Sequence, residues 1–301
     1  MAIQSLIRRL FASVVVLIPA VVPAAEQYLL RYKFVPDQKQ VYVSQNDAAL
    51  TLESSKFREE PRHTEMMIRS IRIVSVSPEG IADLELSINR AYMSANSDGV
   101  TSTYDSAHPE KASEDFAKLH ESLRKPTLTR MNSLGKLLPM DGQADPEPID
   151  LVMQLPESPI EVGGTWKEKF ESGVQIDPKT PLLRPVKMER RYVLKIVEQG
   201  IATISLNTVC LTPKIDPFQE SQIMQRRPVG TIRFDLNQGC VVERDLRIDD
   251  KAVGFQGAGT AMTTRVIKLD RLITSDQASE INLMKPLLSV QAAFESTAPI
   301  R

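Results

Sequence analysis

The sequence predicts a mainly β protein, a β-rich α+β chain made of two related halves of curved antiparallel sheet, each with a short covering helix. Three observations carry this. Apolar residues alternate with polar ones along several long runs: Ala82, Leu84, Leu86 and Ile88 share one face, as do Ala202, Ile204, Leu206 and Cys210. That is the period of a strand, whose side chains alternate across the sheet. The run EGIADLELSINRAYM at 79–93 returns as QGIATISLNTVCL at 199–211, with Gly80-Ile81-Ala82 over Gly200-Ile201-Ala202. Self-similarity of this kind is the mark of an internal duplication. Helix signals then fall at matching places, after the repeated hairpin in each half.

The elements follow in order. Residues 1–24 read as a cleaved signal peptide: Arg8 and Arg9, then a thirteen-residue, largely apolar stretch from Leu10 to Val22 that includes Pro19, then Val22-Pro23-Ala24, with Ala25 as a second cleavage position. This h-region is shorter than the roughly 20 residues of a spanning helix, and no later segment spans, so no transmembrane segment is expected after cleavage. The chain is therefore expected to be exported, periplasmic or secreted. Without Arg8 and Arg9, 35 basic residues face 38 acidic ones.

The first β-rich half is placed at 25–148. YLLRYKF is its expected first strand, ended by Pro36-Asp37, and a long hairpin turns at Ser77-Pro78-Glu79-Gly80. SEDFAKLHESLRK puts Phe116, Leu119 and Leu123 on one stripe, with Pro126 as the stop. A helix this short must bury that stripe, either on a core of Leu84 and Leu86 or as a lid over a pocket. Leu119 is expected buried and His120 more exposed. LTRMNSLGKLL follows as the closing hairpin, and PMDGQADPEP at 139–148 reads as the linker.

The second half is placed at 149–273. IDLVMQL corresponds to YLLRYKF. GGTWKEKF, RRYVLKIVEQGIATISL and TIRFDLNQGCVV then repeat the order of the first half, turning at Glu198-Gln199-Gly200 and Asn237-Gln238-Gly239. Asp216 is the expected N-cap of a short helix, with Pro217 at its first position and Gln219 completing a capping box. Residues 274–301 form a C-terminal tail that holds either a short helix or loose chain.

The 37 basic and 38 acidic residues of the whole sequence exclude the basic face of a nucleic-acid binder. Two cysteines, Cys210 and Cys240, permit one disulfide in an oxidising compartment. A strand meander would place them too far apart for a bridge unless the 212–228 connection re-routes the chain. The alternative is two buried thiols. His63, His108 and His120 show no zinc-type spacing, and no catalytic motif is present. The glycines of Gly254 to Gly259 read as an irregular strand entry. The pairs Glu59-Glu60 and Asp249-Asp250 read as turn charges. Trp166 after Gly163-Gly164 reads as a core anchor or as a ligand-stacking platform. No catalytic, cofactor-binding or metal-binding residue is assigned, and no cofactor is expected.

The segments LPESPIEVGGTW, RRYVLKIVEQGIATISL and GTIRFDLNQGCVVERDLRID resemble a family of exported bacterial β-rich proteins with no assigned activity. The resemblance rests on Val162, Gly163, Trp166, Gly200, Thr231, Phe234, Asp235 and Gly239. It implies export and β architecture and supplies no site residue. The expected function is that of a non-catalytic envelope protein binding an apolar ligand or an envelope partner. A structural protein joined through its sheet edges and a hydrolase with an unrecognised site are the alternatives.

Overall fold

Long alternating runs of β-branched and aliphatic residues form strands, and here they form one sheet. A computed structural model describes residues 26–117, 119–140, 149–213 and 215–288; the expected signal peptide and residues 289–301 lie outside these. The first half contains β1 (Gln27–Tyr28), β2 (Lys39–Glu53), β3 (Arg58–Glu59), β4 (Arg62–Val76), β5 (Ala82–Ser97) and β6 (Val100–Asp105). After these come α1 (Glu114–Ala117), α2 (Leu119–Leu123), β7 (Thr127–Met131) and β8 (Leu137–Leu138). The second half contains β9 (Ile160–Glu161), β10 (Thr165–Gln175), β11 (Leu183–Glu198), β12 (Ile201–Cys210) and α3 (Pro217–Ile223). It continues through β13 (Val229–Asp235), β14 (Cys240–Val253), β15 (Ala261–Ile273) and α4 (Ser275–Glu280).

The main sheet runs β10-β11-β12-β13-β14-β15-β2-β4-β5-β7-β8, antiparallel throughout, with β3 and β6 paired beside β2 and β5. It does not close into a barrel. The set β2-β4-β5-β7-β8 has the same strand order as β10-β11-β12-β13-β14. The repeated hairpins therefore take equivalent third-strand positions. Even the irregularities repeat. Ala82 and Leu84 pair with Val76 and Ile73 across a bulge, and Ala202 and Ile204 pair with Val197 and Leu194 across another.

The sheet curls so that its concave face holds one large core. At one end that face is filled by the extended segments 29–38 and 149–156, whose Leu30, Tyr32, Leu151, Met153 and Leu155 are buried against Leu84, Met131, Ile204 and Phe234. These are the two runs expected as first strands. Beyond the short β1, they are not strands. Their alternation is real, because any extended chain has period 2, but their backbone groups bond to turns: Tyr32 N–H to Ser133 O at 2.8 Å, Lys33 N–H to Gly239 O at 3.1 Å, and Leu155 N–H to Leu134 O at 2.8 Å. Gly135 and Gly239 receive the two segments. Both have φ in the left-handed region. A Cβ at Gly135 would meet Met153 O at 2.3 Å, and one at Gly239 would meet Lys33 N at 2.4 Å. Each entry segment thus crosses to the other half's turn and interlocks the two.

The helices cover the other end of the same face. Phe116, Leu119 and Leu123 pack on Met67, Ala91, Met93 and Tyr104 rather than on Leu84 and Leu86. Leu119 and His120 are both half-buried, because His120 Nδ1 hydrogen-bonds the buried Tyr104 hydroxyl at 2.8 Å. The stripe thus packs on a core cluster. Asp216 caps α3 as expected, accepting from the N–H groups of Phe218 and Gln219. Gln219 makes no capping box; its buried amide reaches Ile176 O and accepts from Arg184. α4 is the tail's short helix, with a capping box between Thr274 and Gln277. It lies on the convex face over Val43 and Ile68, followed by Leu283.

Candidate functional site

Between its two filled ends the concave face carries a polar belt. Arg244 on β14, Asp270 on β15 and Ser44 on β2 stand directly opposite one another on adjacent strands, and Arg69 on β4 is diagonal to Ser44. Strand pairing alone therefore brings them together. Asp270 Oδ2 accepts from Arg244 Nε at 2.9 Å and Nη2 at 2.7 Å. Its Oδ1 accepts from the Ser44 hydroxyl at 2.6 Å and from Arg69 Nη2 at 2.7 Å, while Arg69 Nε donates to Ser44 Oγ at 2.8 Å. Asp270 is 2% exposed and Arg244 8%. Burial pushes the Asp270 carboxyl up, but the Arg244 and Arg69 charges outweigh it and hold the group below its ordinary value.

Two cavities adjoin this belt, and a third adjoins the first of them. An inner cavity of about 220 Å³ has Arg190, Arg226, Arg244 and Lys268 in its wall, with Asp150 and an apolar surface that includes Phe170, Leu206, Ile232 and Leu246. A belt cavity of about 230 Å³ meets it at Asp150, Arg244 and Lys268. A seam cavity of about 450 Å³ shares Ile149, Val152 and Arg190 with the inner one and is lined by Leu137 and Leu138 of β8 and Glu168 of β10. These are the two end strands of the sheet, so the seam is the place where the curl stays open. Small-molecule sites run from about 300 Å³, which the adjoining cavities reach together.

Arg190 stands where seam and inner cavities meet. It donates to Glu168 at 3.0 Å, and its guanidinium lies 4.6 Å from the Phe170 ring centroid. Glu168 also accepts from the Tyr192 hydroxyl at 2.7 Å. Burial, with the Glu168 charge, pushes the Tyr192 phenol far up.

Most residues weighed in the sequence lie outside this site. Trp166 stacks on Tyr192 with centroids 5.1 Å apart, and its Nε1–H donates to Gln154 O at 2.8 Å, so it packs against the core as an anchor. Cys210 and Cys240 are free thiols; burial pushes Cys240 up to about 12. His63 sits in β4 opposite Ala48, and His108 faces Glu110 at 3.6 Å on the surface. Glu60 pairs with Arg58, Asp249 with Arg265 and Asp250 with Arg227. The 254–259 glycines form the β14–β15 loop. The belt itself was missed by the sequence reading. Its available signal was Arg244 in the pattern Arg244-x-Leu246-x-Ile248, a charge on an apolar face.

No family model and no curated protein matches this chain. Among solved structures, a lipovitellin described for its lipid–protein interactions is similar over 80% of this chain and 26% of its own, at 10% identity and a TM-score of 0.44. The chain thus spans about a quarter of that protein. DynF, from the dynemicin biosynthesis pathway of Micromonospora chersina, is similar over 89% of this chain and 95% of its own, at 6% identity and a TM-score of 0.21. The Salmonella secretin InvG is similar over 80% and 62%, at 10% identity and a TM-score of 0.15. With every TM-score below 0.5, these likenesses establish neither a shared fold nor a shared activity.

Proposed function

We propose that this chain is an exported, non-catalytic envelope protein that binds a small apolar or amphiphilic molecule in its concave trough. The observation that carries the reading is the run of adjoining cavities, lined by both apolar and charged side chains, that begins at the open seam between β8 and β10. The carboxylates of the belt and the seam suit a binding site better than a reacting one. Asp270 and Glu168 are each occupied by donors, and a carboxylate held ionised by two guanidinium groups is a poor general base. Assembly through sheet edges is less favoured. The Gln222 side chain occupies both the N–H and C=O of Gln175 on the outer edge of β10, at 2.9 and 3.2 Å, and Arg226 takes Gly173 O at 2.8 Å. Lys167 and Lys169 add charge along the same strand, a common protection of an edge.

The test is a titration with the neutral dye N-phenyl-1-naphthylamine. It is expected to bind with enhanced fluorescence at one site per chain. Ile232→Phe adds volume to the inner cavity at an overpacking cost of about 1–3 kcal/mol, and it should weaken dye binding at least tenfold. Leu206→Phe makes the same test from β12 if Ile232→Phe fails to fold. A folded variant that binds the dye as the parent does would place the ligand elsewhere, and a parent that binds no dye would remove the reading.

A further inference from the structure

We infer that the molecule bound in the trough carries an anionic head group, a carboxylate or a phosphate, held in the inner cavity by Lys268, Arg226 and Arg244. The inference rests on the cavity reading above and adds the chemistry of the ligand. Its basis is an imbalance of charge. Among the described residues, four cationic side chains line the inner cavity against one carboxylate, Asp150. Arg190 is matched by Glu168. Arg244 and Arg69 divide the one carboxylate of Asp270 between them. Arg226 has neutral partners, the Ser172 hydroxyl and the Gly173 carbonyl. Lys268 faces Asp150 at 3.8 Å, beyond hydrogen-bond distance.

The belt cavity, by contrast, is balanced. Glu65, Asp150 and Asp270 stand there against Arg69, Arg244 and Lys268. An anion is therefore drawn to the inner side of the Arg244–Lys268 junction. Across both cavities, among the described residues, five cations, Arg69, Arg190, Arg226, Arg244 and Lys268, face three carboxylates, Glu65, Asp150 and Asp270. Lys268 and Arg226 keep solvent-accessible donors, and guanidinium groups match the oxygens of carboxylates and phosphates in charge-assisted hydrogen bonds. The aliphatic part of the ligand then lies on Phe170, Leu206 and Ile232 in the same cavity.

The experiment is displacement of bound N-phenyl-1-naphthylamine by ten-carbon amphiphiles that differ only in the head: decanoate, decyl phosphate, decanol and decyltrimethylammonium. At least one of the two anions should displace the dye at a tenfold lower concentration than decanol, and the cation should be weakest. A preference between decanoate and decyl phosphate identifies which head group is taken. In Lys268→Met/Arg226→Met the anion-to-decanol ratio should fall below threefold, with Lys268→Met alone giving an intermediate ratio if the double variant does not fold. Displacement by decanol as readily as by both anions, with the dye bound, overturns this inference and leaves the cavity reading standing. A ratio unchanged in the folded variants also overturns it. Failure of the dye to bind the parent protein overturns the cavity reading, and this inference with it.

Discussion

Asp270→Asn is expected to lower stability by about 3–5 kcal/mol, the usual consequence of removing one partner from a buried ion pair. The substitution keeps the shape of the side chain and removes the only charge that Arg244 and Arg69 share at a position 2% exposed. For a chain of this size the melting temperature should fall by on the order of 10 °C. Glu243→Gln is the control. Glu243 pairs with Arg233 at 3.5 Å on the surface, where such pairs contribute about 0–1 kcal/mol. The pH dependence has a defined sign. The folded Asp270 carboxyl lies below its ordinary value, so its stabilisation is present above the unfolded value of about 3.9 and is lost as pH falls through the folded value. The gap between parent and Asp270→Asn should therefore be full at pH 7 and close in strong acid. Equal melting temperatures at pH 7 would show that the belt carries no buried charge.

Tyr32 gives the second large effect, and it tests the filled end of the trough. Its ring is buried edge-on to Phe234, with centroids 5.3 Å apart. Its hydroxyl donates to Met153 O at 3.2 Å and accepts from Met153 N–H at 3.0 Å, tying the two entry segments together. Tyr32→Ala removes the ring, at about 3–5 kcal/mol for a core aromatic, and strands both Met153 groups. A total near 5 kcal/mol is a large share of a typical 5–15 kcal/mol stability. Tyr32→Phe keeps the ring and loses only the hydroxyl, so about 1–3 kcal/mol is expected. Chemical denaturation of both variants measures this. If the segments were ordinary edge strands, Tyr32→Phe would cost nothing measurable.

The hairpins were legible because their signals are local. Gly80, Gly200 and Gly239 all take positive φ at the turns where the sequence put them, and the period-2 runs between them are strands. The G-I-A hairpins fall on β5 and β12, each third in its half's strand order within one continuous sheet. The entry segments were misread because an extended chain alternates whether or not it is paired. Only the contacts to Gly135, Gly239 and Met153, distant in sequence, decide that it lies inside the curl. The belt was hidden for a related reason. In β15 the odd residues Ile267 and Leu269 are buried on the convex face, the latter pair lying by Leu288, while Asp270 is buried on the concave face. With buried residues on both faces of this stretch, nothing in the local pattern marks Lys268 and Asp270 as belt residues. Their partners Ser44 and Arg69 come from the far end of the chain, and no spacing within the sequence announces that register.

The central claim, that the trough holds the ligand, is tested most directly by methyl-resolved NMR of the Ile and Leu side chains during titration with decanoate. The account predicts shifts at Leu206, Ile232, Leu246 and Ile248 of the inner cavity, and none at Ile68, Ile273 or Leu283 on the convex face. Shifts confined to the convex face, or no shifts at saturating decanoate, would contradict it.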